Sequence, residues 1–142
     1  MYTGFQHLHS YLAYFVLATI AYSILYVTIK FVKKSTFSEK VRKVTLIAFI
    51  ASHVQLLVGL VIYAISPLGL SNLSSEAMGG AISRLYALEH PLVMIIAILL
   101  ISVGYIKAKK PGDDARRFKT IILFYGMGLL LMLTRIPWQV WP

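Results

Sequence analysis

Apolar residues are gathered in four long stretches of the chain, and most charged residues lie in the segments between them. Each stretch holds about 20 to 25 residues, enough for a helix to cross a hydrocarbon core of about 30 Å. A helix is expected because, in lipid, the backbone groups of one segment must find hydrogen-bond partners within that segment. The pattern therefore predicts an all-α membrane protein, an up-down bundle of four transmembrane helices in one domain over residues 1–142. The helices are expected at roughly 8–32, 44–65, 85–106 and 118–138.

The composition supports this interpretation, because 58% of the 142 residues are hydrophobic and only 13% are charged. Soluble domains carry about 25% charged residues, and a soluble chain of this length still exposes about 30% of its unfolded surface after folding. An ordinary globular domain and a disordered chain are therefore excluded. The chain has no cysteine, which also excludes disulfides, thiolate metal sites and covalently attached c-type haem.

The charge distribution predicts the orientation of the helices. Fourteen Lys and Arg residues against five Asp and Glu residues give a net charge of +9. Once the apolar stretches lie in lipid no basic face remains, so a nucleic-acid partner is not expected. Loops rich in Lys and Arg stay in the cytoplasm, which leaves both termini and the loop of residues 66–83 on the periplasmic side of a bacterial inner membrane. The twelve cations of the two basic loops are Lys30, Lys33, Lys34, Lys40, Arg42, Lys43, Lys107, Lys109, Lys110, Arg116, Arg117 and Lys119.

Few ionisable residues fall inside the predicted helices, and each is a candidate for function because such residues are costly in lipid. His9 lies at the start of the first helix, His53 in the middle of the second and His90 in the third. Arg84 and Arg135 are the two cations that the basic loops do not contain, and both belong to the outer side. The outer half of the bundle is therefore the expected location of a site.

Three histidines on three helices of a small bundle favour a haem b site. Neutral imidazole is a usual axial ligand of haem, and helix bundles place such ligands on facing helices. The sequence leaves the ligand pair open between His9 with His90, on diagonal helices, and His53 with His90. The third histidine would then ligate a second centre, or hydrogen-bond a quinone or a haem propionate. Arg135 and Arg84 are the candidates for binding the propionates, since a guanidinium grips a carboxylate with two hydrogen bonds.

Structural roles for the same residues are the alternatives. His53 would form an interhelical hydrogen bond with a Ser or Gln side chain. His90 would pair with Glu89 at the membrane interface, and Arg135 would extend its guanidinium to the head groups. A zinc or copper site made of three histidines suits the ligand type, but the histidines differ too much in depth.

A proline and three glycines are also placed for a role at such a site. Pro91 follows His90 directly and removes a helix hydrogen bond, which favours a kink that turns the imidazole inward. Gly59 in the second helix and Gly126 and Gly128 in the fourth would either let a macrocycle approach or pack helices closely together.

Four segments carry a resemblance to other membrane proteins. They are Leu-His-Ser-Tyr-Leu-Ala-Tyr at 8–14, Ser-His-Val-Gln-Leu-Leu-Val-Gly-Leu-Val-Ile-Tyr at 52–63, Arg-Leu-Tyr-Ala-Leu-Glu-His-Pro-Leu-Val-Met at 84–94 and Thr-Arg-Ile-Pro-Trp at 134–138. In them the chain resembles a family of small bacterial membrane proteins labelled cytochrome b or cytochrome-b-like. The resemblance covers nearly the whole chain and implies a four-helix haem b protein of the inner membrane. Carried over residue by residue, it points to His9, His53, His90 and Arg135.

The expected function is electron transfer between the quinone pool and a membrane or periplasmic partner, with haem b as the cofactor and a quinone as a second candidate ligand. A homo-oligomer or a larger membrane redox complex is expected, because four helices alone bury limited area. One alternative is a non-redox accessory or assembly subunit of a larger membrane complex. A second is an enzyme that oxidises a porphyrinogen, since the chain shares its length and an early histidine with the four-helix membrane protoporphyrinogen oxidases. The Thr-Arg-Ile-Pro-Trp end departs from that family, which has an acidic, Asn-containing stretch there.

Overall fold

The computed structural model describes residues 2–141, and within this range four helices are long and apolar enough to cross a membrane. The prediction of four long apolar helices in an all-helical chain is confirmed. We label these helices α1 (Tyr2–Val32), α2 (Glu39–Ile65), α3 (Ala81–Lys109) and α4 (Asp114–Thr134). The segment between α2 and α3 contains a 3₁₀ turn and a short helix, at Leu70–Asn72 and Ser75–Gly79.

All four helices begin earlier than the apolar pattern predicts, at residues 2, 39, 81 and 114 instead of 8, 44, 85 and 118. α1 starts at Tyr2, although its first residues include polar side chains. α2 starts at Glu39, because the Ser38 side chain caps the helix by accepting a hydrogen bond from the Val41 backbone N–H. A capped first turn is stable without being apolar, so hydropathy alone places these starts too late.

α4 ends earlier than predicted, at Thr134 instead of residue 138. Pro137 disfavours helical backbone in the residue before it, which stops the helix within this turn. Arg135, expected inside the helix, therefore lies just beyond it with φ −129° and ψ 16°. Its backbone carbonyl is thus freed from the helical hydrogen-bond pattern.

The four helices form a closed ring in which α1 packs on α2, α2 on α3, α3 on α4, and α4 again on α1. α1 and α3 therefore face each other across one diagonal, and α2 and α4 across the other. We call the end with both termini and the segment of residues 66–80 the upper end. The lower end holds the connections of residues 33–38 and 110–113, together with the two basic clusters.

The lower half of the bundle is closely packed around buried aromatic and hydroxyl side chains. The Tyr125 hydroxyl of α4 donates to the backbone carbonyl of Thr45 in α2, across the diagonal, at 2.7 Å. The Ser23 hydroxyl of α1 donates to the Val44 carbonyl of α2 at 3.2 Å. The Phe118 ring is 1% exposed, so little space remains at this level of the bundle.

Glycines allow α3 and α4 to approach closely. A Cβ atom at Gly128 would lie 2.9 Å from Ile101 Cγ1 and 3.0 Å from the Ala97 carbonyl oxygen. A Cβ atom at Gly104 would lie 2.6 Å from the Cβ of Phe124. All three distances are shorter than normal contacts of a carbon atom, so these glycines let the helices pack closely, which was one of the two roles considered for Gly128.

Replacing Gly128 with Ala should destabilise the bundle by about 1 to 3 kcal/mol, because the added methyl group forces α3 and α4 apart. Gly126→Ala is the matched control in the same helix. A Cβ atom there meets nothing within 4 Å, and Ala is the better helix former by about 1 kcal/mol. Thermal unfolding in detergent, monitored by circular dichroism, measures the stability of both variants. Equal stability of the two variants would contradict the packing described here.

Candidate functional site

The upper end of α3 departs from regular helix just before His90. A π turn at Leu85–Glu89 precedes the regular α-helix, and such turns are frequent at functional sites. Pro91 has no backbone N–H and leaves the carbonyl of Ala87, four residues earlier, without its helical donor. The hydroxyl of Tyr63 in α2 donates to that carbonyl at 2.8 Å. The irregular turn is therefore held by a side chain of the neighbouring helix.

His90 is attached to the end of α4 by one hydrogen bond. Its Nδ1 lies 2.7 Å from the backbone carbonyl oxygen of Arg135. A carbonyl oxygen only accepts, so Nδ1 carries the hydrogen atom and Nε2 keeps a free lone pair. The contact therefore joins α3 to α4 and determines which ring nitrogen is available to a ligand or metal.

His9 of α1 lies opposite His90, across the diagonal of the bundle. The two ring centroids are 6.3 Å apart, and the ring planes meet at 75°. Gly59 of α2 makes room for His9, since a Cβ atom there would lie 3.1 Å from His9 Cε1. The imidazoles of His9 and His90 therefore come together at the upper end although their positions along the sequence predict different depths.

Both imidazoles line a cavity of about 410 Å³ in the upper half of the bundle. This volume falls within the range of about 300 to 1,000 Å³ typical of small-molecule and cofactor sites. Most of the lining is apolar and comes from all four helices, including Leu56, Met94 and Met132. At the upper end the segment after α2 and the segment after α4 complete the wall. An amphipathic or largely apolar ligand suits such a space.

Three buried polar atoms on residues that line this cavity have no hydrogen-bond partner among the described residues. They are Nδ1 of His9, Oε1 of Gln55 and Nε1 of Trp141. The amide nitrogen of Gln55 is satisfied, because it donates to the His9 carbonyl at 3.0 Å, and the Trp141 ring packs on Tyr14 with centroids 4.6 Å apart. Buried polar atoms are normally paired, so hydrogen bonding is incomplete at these three residues of the cavity wall.

His53 is not part of this group. Its Nδ1 donates to the Phe49 carbonyl of the same helix at 2.7 Å, and its Nε2 lies 3.2 Å from Ser102 Oγ in α3. The Phe49 ring also packs on the imidazole, with centroids 4.2 Å apart. This is the arrangement anticipated by the structural alternative for His53, an interhelical contact with a serine.

Arg84 and Arg135 come together at the upper end, but around Glu89. Arg84 Nε lies 2.7 Å from Glu89 Oε1, and Arg135 Nε lies 3.2 Å from Glu89 Oε2. Arg84 also donates to the backbone carbonyl of Met78 at 3.0 Å. Each carboxylate oxygen thus faces one guanidinium, and any other carboxylate that approached these arginines would compete with Glu89.

Several residues of this region were not singled out from the sequence. Gln55 and Trp141 were not candidates for the site, and only the folded bundle shows that both line the cavity. The sequence did contain a signal for the role of Tyr63. Pro91 inside a helix leaves a carbonyl that needs another hydrogen-bond donor. Which neighbouring side chain supplies that donor depends on how the helices pack.

Tyr63→Phe should leave the Ala87 carbonyl unsatisfied and destabilise the protein by about 1 kcal/mol. Tyr11→Phe is the control, since Tyr11 is 71% exposed on α1 and loss of its hydroxyl should change little. Thermal unfolding of both variants in the same detergent tests this assignment. If the two substitutions have the same effect, the Tyr63 hydroxyl does not support the π turn.

Comparisons with models of protein families, with curated proteins and with solved structures find no match to this chain.

Proposed function

We propose that this chain is a multi-pass protein of the bacterial inner membrane that binds haem b between His9 and His90. It would transfer electrons between the quinone pool and a membrane or periplasmic partner. The observation that carries the proposal is the pair of facing imidazoles, whose ring centroids are 6.3 Å apart, beside a large and mostly apolar cavity.

The spacing of the two rings suits a shared metal ion. Two imidazoles that bind one ion from opposite sides, each with a bond of about 2 Å, have ring centroids about 6 Å apart. The free Nε2 of His90 has a lone pair to offer, and a neutral His9 imidazole also has one ring nitrogen with a lone pair. The residues present therefore fit a haem with two histidine ligands, which is one of the two pairs left open by the sequence.

The chain's own residues prepare His90 for this role. Histidines that bind metals commonly donate their second ring N–H to a carbonyl or carboxylate, which orients the ring and raises its basicity. The Arg135 carbonyl performs this function for His90. Gly59 leaves space for His9, and the apolar lining keeps water from the imidazoles. A bound haem would supply an iron that accepts and releases one electron.

The other residues predicted for the site, His53, Arg84 and Arg135, contact protein groups in the structure. His53 has its own contacts with Phe49 and Ser102, and a ligand role for it stays a prediction. Arg84 and Arg135 also stay predictions as propionate ligands, because both guanidinium groups contact Glu89. These contacts favour, as a second candidate, a colourless accessory subunit in which the histidines only join helices.

The spectrum of the purified protein tests the proposal. His9→Ala and His90→Ala should each lose most of the Soret absorbance after reconstitution with haemin, because each removes a residue that would hold the haem. His53→Ala should keep it. A wild-type protein with no Soret band, as isolated and after reconstitution, would refute haem binding and favour the accessory subunit.

We further propose that the lower end faces the cytoplasm and the upper end the periplasm, because the twelve clustered cations lie at the lower end. Single-cysteine variants of this cysteine-free chain test the orientation. With a membrane-impermeant maleimide on intact bacterial cells, Ser71→Cys should be labelled and Lys110→Cys should react only after the membrane is permeabilised. The reverse pattern would invert the topology.

A further inference from the structure

Arg135 takes part in two contacts that the site needs together. Its side chain binds Glu89 with a nitrogen–oxygen distance of 3.2 Å, and its backbone carbonyl accepts the hydrogen bond from His90 Nδ1 at 2.7 Å. Glu89 and His90 are consecutive residues of α3. The end of α4 is therefore attached to α3 at two adjacent points, one ionic and one through the imidazole.

The ionic contact matters because Arg135 lies beyond the last residue of α4. Terminal residues of helices fray, and Arg135 already has a non-helical backbone. Its carbonyl stays in line with His90 only while something holds the segment after α4 against α3. The carboxylate of Glu89 does so at Arg135 itself, and Arg84 holds that carboxylate from its other side at 2.7 Å. The Trp141 ring, packed on Tyr14, holds the same segment six residues farther along.

We infer that Glu89 is a positioning residue, which keeps His90 in its Nδ1–H form by fixing the Arg135 carbonyl. The inference rests on the proposed function, since its consequence is a free His90 Nε2 directed at a haem iron. Glu89 touches neither the cavity nor a ligand in this arrangement. It acts through Arg135, whereas the alternative drawn from the sequence was a pairing of Glu89 with His90 itself.

The first measurement uses the haem-free protein in lipid nanodiscs, with ¹⁵N-labelled histidine. Wild-type His90 should show a single Nδ1–H tautomer in long-range ¹H–¹⁵N spectra, assigned by loss of its signals in His90→Gln. Glu89→Gln should convert it to a mixture of tautomers, because a neutral amide cannot pair with two guanidinium groups. Glu39→Gln is the matched control, as it breaks the Glu39–Arg42 ion pair at the lower end and should leave His90 unchanged.

A second variant, Arg135→Gln, tests the same inference if Glu89→Gln does not fold. Arg135→Gln retains the backbone carbonyl and removes only the guanidinium, so it should produce the same mixture of tautomers. Glu89→Asp, which keeps the charge, should restore part of the Nδ1–H form. If His90 keeps a single Nδ1–H tautomer in Glu89→Gln or in Arg135→Gln, the inference is wrong.

The second measurement is haem affinity, followed by titration of the Soret band. Glu89→Gln should bind haemin about 10- to 100-fold more weakly, the range found when a group that orients a metal-binding histidine is removed, and Glu39→Gln should bind as the wild type does. If the wild type binds no haemin, the proposed function fails while the tautomer of His90 still tests the role of Glu89. If haemin binds equally to both variants, the inference fails and the haem proposal stands.

Discussion

Backbone carbonyls must find hydrogen-bond donors wherever water is absent, and this requirement holds the bundle together. Helices surrounded by lipid gain little from burying apolar side chains against each other, so their association depends on close packing and on polar contacts. In this chain, side chains of one helix donate to carbonyls of a neighbouring helix or of the segment that follows it. The contacts are Ser23 with Val44, Gln55 with His9, Tyr63 with Ala87, Tyr125 with Thr45, and His90 with Arg135.

These contacts have different consequences in the two halves of the bundle. In the lower half they accompany buried aromatic rings and the close approach of α3 and α4 at Gly104, so the interior is filled. In the upper half Tyr63 and His90 donate to carbonyls released by Pro91 and by the end of α4, and Gln55 donates to the His9 carbonyl inside α1. The interior is not filled at this end, and a cavity with His9 and His90 in its wall remains.

The candidate site could be predicted from the sequence only in part. An ionisable residue in an apolar helix is conspicuous, which is why His9, His53 and His90 were identified together. Their pairing was left open because the rotation and tilt of a helix, and the extra residue of a π turn, change the direction of a side chain without changing hydropathy. The fold brings His9 and His90 within 6.3 Å of each other and leaves His53 at Ser102.

The sequence by itself determined the number of long apolar helices and the clustering of the cations in two connections, because hydropathy and charge are properties of each local segment. The tertiary structure alone decided that Glu89 contacts both Arg84 and Arg135 and that Gln55 and Trp141 line one cavity. Such contacts join residues far apart in the chain, and their geometry exists only after the helices have packed.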